Sequence, residues 1–283
     1  MNPDSHPTEA DDAGRALTAL LTAALADAMP PADGAAPPAV RERLQARLAT
    51  TRATEAAMVT TRLRRVLPRA VASGITERLL YGSTPAAAPR PGEPLRARLF
   101  DLAPGARLDA DALGDTATLR ARHREWLVMR GSVQLDGQHL GARDYHVVPA
   151  GHDTPVLASA DGARVFLRES ELPARAGDAP ATVRDAEAGW PGFAPGIERR
   201  VLWQHNGQAA LLYRARPGAQ VPRHTHGHDE ECLMVEGELF LDDTLLQAGD
   251  YQLAPAGTGH VITETDTGVV IYAHGDLDLR FVS

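Results

Sequence analysis

The chain has 283 residues, 43% of them hydrophobic, and a formal charge of −8. That is enough chain for two domains of ordinary globular composition, and the acidic balance argues against a general nucleic-acid coat. The single cysteine, Cys232, excludes an internal disulfide, and its Leu/Met/Val surroundings read as a buried core thiol.

Residues 1–12 are acidic and polar and are expected to form a disordered tail. The start, Met1-Asn-Pro-Asp-Ser, lacks the positive charge of a signal peptide, and the apolar run Leu17–Met29 is too short to span a bilayer and contains Asp27. A cytoplasmic protein without a membrane segment is expected. Leu17, Leu20, Leu21, Ala24 and Leu25 share one helical face, ended by Pro30-Pro31-Ala-Asp-Gly34. A second helix is predicted from Pro38, with Val40, Leu44 and Leu48 as its stripe. A third is predicted over Ala53–Leu67, with Val59, Leu63 and Val66 as the stripe and Pro68 as the stop. From Arg41 to Arg69 there are eight Arg against two Glu, which suits either a solvated helical face or a dock for an acidic partner.

After Pro68 the texture changes to short alternating runs separated by Gly, Pro and Asp, the pattern of strands and turns. An internal repeat appears there. Gly74-Ile75 to Tyr81 parallels Gly196-Ile197 to Trp203, and Glu125-Trp-Leu-Val-Met-Arg-Gly131 parallels Glu231-Cys-Leu-Met-Val-Glu-Gly237. Asp144-Tyr-His-Val-Val-Pro-Ala-Gly151 parallels Asp250-Tyr-Gln-Leu-Ala-Pro-Ala-Gly257. The reading is a tail (1–12), a helical segment (13–69), a first β domain (70–171), a Pro/Ala/Asp-rich linker (172–190) and a second β domain (191–283).

In the second copy, His224, His226, Glu230 and His260 look like one metal site. On a strand, His224 and His226 point to the same face. Gly227 can turn the chain so that Glu230 returns on the next strand, and the turn Pro255-Ala-Gly257 can bring back His260. Three imidazoles and a carboxylate suit zinc, iron, nickel or manganese. The first copy has Arg124 at the Glu230 position and Thr154 at the His260 position; without an insertion its histidine positions fall on Thr118 and Arg120. One divalent metal per chain is therefore expected, and His123, His139, His146 and His152 read as scattered surface residues.

The pattern Gly-x5-His-x-His-x3-Glu-x6-Gly, then Gly-x5-Pro-x-Gly-x2-His, fixes nine positions across 43 residues. It resembles the two signature motifs of the cupin superfamily, which implies two jelly-roll β-barrels in tandem, a bicupin, behind a small helical segment. The family often has Asn four residues after the last His; here that position is Glu264. A helical head before a cupin is similar to the cupin-containing anti-sigma factors of the ChrR type. Ala36–Leu48 looks like the last helix of their anti-sigma domain. Pro222-Arg-His224-Thr-His226, Glu230-Glu231 and His260 resemble their metal motif. This resemblance implies that His224, His226, Glu230 and His260 hold zinc. It also implies a sigma factor or other protein bound through the helical segment, and a small molecule or oxidant sensed by the cupins; with the charge of −8, no direct contact with nucleic acid is expected. The family's His-x3-Cys-x2-Cys zinc motif is missing, because Cys232 is the sole cysteine. Homodimerisation stays open.

The alternative is enzymatic: three histidines and a glutamate around a metal with open positions resemble the cupin dioxygenases. The polar residues near the ligands are Glu231, His228 and Arg223. Glu231 is expected on the opposite strand face, as an outer salt-bridge residue, and His228 as a solvated turn residue. The regulatory reading is preferred, and no residue is assigned a catalytic role.

Overall fold

The computed structural model describes residues 58–82 and 92–282, with isolated helical positions between 42 and 57. The chain divides into two units, Met1–Ala53 and Thr54–Ser283. In the first, Glu42, Arg43, Gln45, Ala46, Ala49 and Ala53 are helical. The predicted Leu17–Met29 helix and the Val40/Leu44/Leu48 stripe lie outside the described residues.

The second unit is built from two antiparallel sheets of matching order. The first runs Ala181–Val183, Tyr145–Val148, His123–Gly131, Ala163–Ser170, Pro94–Leu102, Ile75–Gly82, Arg69–Ala72. The main path of the second runs Val59–Thr61, Tyr251–Ala254, Glu230–Leu241, Val269–Asp276, Gln208–Ala215, Ile197–His205, Gly192–Ala194. Shorter strands fold over the face of each sheet turned away from the other sheet and close it into a β-barrel of the jelly-roll type. The tandem repeat read from the sequence is thus two barrels in succession. One motif glycine is dictated by the backbone. Gly237 has φ 74°, and a Cβ there would lie 2.1 Å from the carbonyl oxygen of Gly268. Gly131, its counterpart, meets Gly162 in the same way.

Strand alternation explains how the barrels share a core. In His123–Gly131, Trp126 and Val128 face the first barrel's interior with Phe100 and Leu167, while Leu127 and Met129 face out. In Glu230–Leu241, Cys232 and Met234 face the second interior with Leu211 and Leu246, while Leu233 and Val235 face out. The two outward faces pack on each other, joining Leu99, Leu127 and Phe166 to Leu212, Leu233 and Tyr272. Both sheets are therefore apolar on both faces, as sheets buried on two sides must be.

Two predicted segments are corrected here. Val59–Thr61 is a strand, not part of a helix through Leu67; it pairs with Tyr251–Ala254 on the second barrel. Its β-branched residues suit an edge strand, and Gln252 Nε2 donates to Thr60 Oγ1 at 3.0 Å. Arg62 and the Leu63 amide both bond the Asp250 carboxylate at 2.9 Å. Ala181–Val183, inside the predicted linker, pairs in turn with Tyr145–Val148 on the first barrel. Each barrel is thus edged by the segment that precedes the other.

One cluster at the interface is charged. Arg168, 1% exposed, donates to Glu125 Oε1 at 3.0 Å, to Glu231 Oε2 and to the Gly92 carbonyl. Tyr145 and Tyr272 donate to Glu125 Oε2 at 2.8 and 2.7 Å, and Tyr251 donates to Glu231 Oε1 at 2.7 Å. Glu231 is a salt-bridge residue on the face opposite Glu230, as the alternation requires. It is not outer: the first barrel covers it.

Candidate metal centre

The site is assembled from three short pieces of the second barrel. His224–Thr225 pairs antiparallel with Gly259–His260, which sets His224 directly beside His260. His226 follows the first piece and is fixed by its backbone: its amide donates to the Thr258 carbonyl, and its carbonyl accepts from the Gly257 amide. Glu230 opens the long strand Glu230–Leu241, after the chain turns at Gly227. The three imidazole centroids lie 5.1 to 5.7 Å apart. Ligand atoms of His224, His226 and Glu230 all fall within 4.8 Å of one another.

Each histidine is anchored through Nδ1. His224 Nδ1 faces the Pro222 carbonyl at 3.1 Å, His226 Nδ1 faces Thr258 Oγ1 at 3.3 Å, and His260 Nδ1 faces Asp242 Oδ2 at 3.0 Å. That leaves the Nε2 atoms as the free donors. His226 Nε2 is buried without a hydrogen-bond partner and lies 3.7 Å from Glu230 Oε1. An orphaned buried nitrogen beside a carboxylate is costly unless an ion joins them, so this donor set fits a divalent metal. Burial, with His260 close by, pushes His226 down to about 4. Burial also lowers His224 and raises Glu230. Both shifts favour the neutral imidazoles of His224 and His226, whose lone pairs can meet a cation.

Sequence reasoning missed Asp242. Besides His260 it accepts the Val261 amide at 2.8 Å and the Ile262 amide at 3.1 Å, so it positions both the ligand and the loop after it. Nothing in its local spacing sets it apart from any turn aspartate. Cys232 is buried, as expected; its thiol lies 3.7 Å from Glu230 Oε1, and burial followed by Glu230 pushes its pKa well up. His228 Nδ1 hydrogen-bonds Asp276 Oδ1, so its ring is held rather than only solvated. Arg223 is exposed beside the site.

Residues 178–278 match the ChrR cupin-like domain family. No curated protein sequence matches the chain. Among solved structures, a candidate dioxygenase from Nostoc punctiforme aligns with TM-score 0.60 and 15% identity, over 80% of this chain and 85% of that one. The oxalate decarboxylase of Lactobacillus farciminis, solved as a formate complex, gives 0.59 and 15%, over 80% and 88%. The Bacillus subtilis oxalate decarboxylase, studied for its Mn(II) centres, gives 0.55 and 17%, over 77% and 76%. Residues 178–278 thus match a cupin family, and over most of its length the chain has the fold of these cupin structures.

The first cupin shows how a ligand site is closed. Arg124, at the Glu230 position, is wholly buried and donates to Thr154 Oγ1, at the His260 position. It also donates to the carbonyls of His152, at 2.7 Å, and Arg122, at 3.3 Å. Burial pulls its pKa down to about 10, and the guanidinium stays charged. A fixed cation thus stands at the position that matches the candidate metal centre, and neighbouring positions carry larger side chains. Val148 and Glu169 flank Arg124, where Ala254 and Gly275 flank Glu230. Trp126 and Leu167 pair where the second cupin has Cys232 and Ala273. The histidines of this cupin are not all surface residues: His123 is 2% and His146 5% exposed, His123 lying 4.4 Å from Trp203 at the interface. No helix among the described residues is long and apolar enough to cross a membrane.

Proposed function

We propose that this cupin is a ChrR-like regulatory protein. In this reading the second barrel holds one divalent metal through His224, His226, Glu230 and His260, and the N-terminal segment engages a protein partner in the cytoplasm, a sigma factor first among them. The match of residues 178–278 to the ChrR cupin-like domain carries the reading. The Arg-rich stretch Arg41–Arg69 supports an acidic protein partner. Zinc is the metal the resemblance favours. When bound, it supplies a Lewis acid with positions open to a small molecule. Burial favours the neutral form of His224 and His226, and the Nδ1 anchors hold all three imidazoles in register for it.

A second reading is supported by the structural likeness to the Nostoc protein: a metal-dependent dioxygenase acting on a small substrate. Capture of partners from the native cell extract, with elemental analysis of the same sample, separates the two. A stoichiometric sigma factor is the expected result. No partner, together with metal-dependent O2 consumption, establishes the enzyme instead.

A further inference from the structure

The two cupins differ most beside the metal. On the inner face of the second barrel, Ala254 pairs with Glu230, and Gly275 pairs with Ala209 and packs against Glu230. In the next row Cys232 lies between Gln252 and Ala273. The equivalent positions in the first barrel carry Val148, Glu169, Trp126 and Leu167, each larger than its counterpart. The sheets have the same strand order, so at these four matched positions the second barrel carries less side chain than the first. Gln252 adds a polar feature: it is 4% exposed, and its Oε1 is buried without a partner, although its Nε2 is used by Thr60. A buried carbonyl oxygen left unpaired needs a donor.

We propose that Ala209, Ala254, Ala273, Gly275, Cys232 and Gln252 bound a ligand chamber beside the metal. The inference rests on the metal reading above and deepens it by naming the ligand class. The walls carry no formal charge, so the ligand is compact and uncharged away from its metal-binding atom. It meets the metal through one or two oxygen or nitrogen atoms and offers an N–H or O–H to Gln252 Oε1. Ala273 sets the size limit, because the first barrel fills that position with Leu167. A bulky or dianionic ligand is excluded by the same walls.

The test uses the full chain loaded with Co(II), with acetohydroxamic acid as the probe, read by the visible d–d bands. Acetohydroxamic acid should bind the wild type, and benzohydroxamic acid should bind about tenfold more weakly or worse. Ala273→Leu should weaken acetohydroxamic acid about tenfold while retaining one Co(II) at the ligand set, and that retention also shows the variant folded. Ala209→Val, a smaller change, should weaken it less, and Gln252→Leu should weaken it without changing the discrimination by size. Equal binding of the probe to wild type and Ala273→Leu, or equal binding of the two hydroxamic acids, overturns the chamber. A wild type that takes up no Co(II) refutes instead the metal reading beneath it.

Discussion

Arg168→Met tests what holds the two barrels in one arrangement. Among the described residues Arg168 is the only guanidinium bonded to Glu125 and Glu231, both of which are 1% exposed, so its loss leaves two buried carboxylates without their shared guanidinium. Removing one partner of a buried pair costs about 3–5 kcal/mol, because the remaining charge is uncompensated. One carboxylate can take a proton to relieve part of this, and burial already raises Glu231. A loss of about 4 kcal/mol is therefore expected for the metal-free protein, read as a fall in the urea midpoint at unchanged slope. Adding Glu125→Gln and Glu231→Gln should recover most of it, since the hydroxyls of Tyr145, Tyr251 and Tyr272 can donate to amide oxygens. A single variant costing under about 1 kcal/mol, or a triple variant no better than the single, refutes the charge-burial account.

Other outcomes follow from the same contacts. Asp242→Ala should weaken metal binding about 10- to 100-fold in chelator competition, because it frees the His260 ring without removing a ligand. Deleting residues 1–57 should leave the barrels intact, while deleting through Pro68 should lower thermal stability by removing the Val59–Thr61 edge and the Asp250 contacts; equal melting temperatures would contradict this. Burial and Arg168 push His274 down to about 3, below its unfolded value of about 6.5, so in acid the unfolded chain takes up this proton before the folded one. Stability should then fall as pH drops from about 6.5 toward 4, and the slope should be smaller by up to about 1.4 kcal/mol per pH unit in His274→Gln. Identical slopes would show that His274 does not contribute.

The grouping of His224, His226 and Glu230 is legible because the motif fixes their spacing, and spacing survives in a linear sequence. The repeat was legible for the same reason: Gly131 and Gly237 must each let a backbone oxygen approach. Val59–Thr61 was not, since its partner strand lies far along the chain and its own three residues also fit the end of a helical stripe. Arg168, Glu125 and Glu231 alternate with apolar residues as a solvent-facing row would; only the docking of a second barrel makes that row a core. Asp242 was hidden because its role depends on where His260 returns in space.

The most direct test of the central claim is elemental analysis of the purified wild type beside His226→Ala, after dialysis against metal-free buffer. The account predicts about one divalent ion per wild-type chain at the barrel-two ligands, and a sharp loss in the variant, whose three remaining ligands hold the ion with broken geometry. Wild type without metal, or a His226→Ala protein that keeps its full complement, would contradict it.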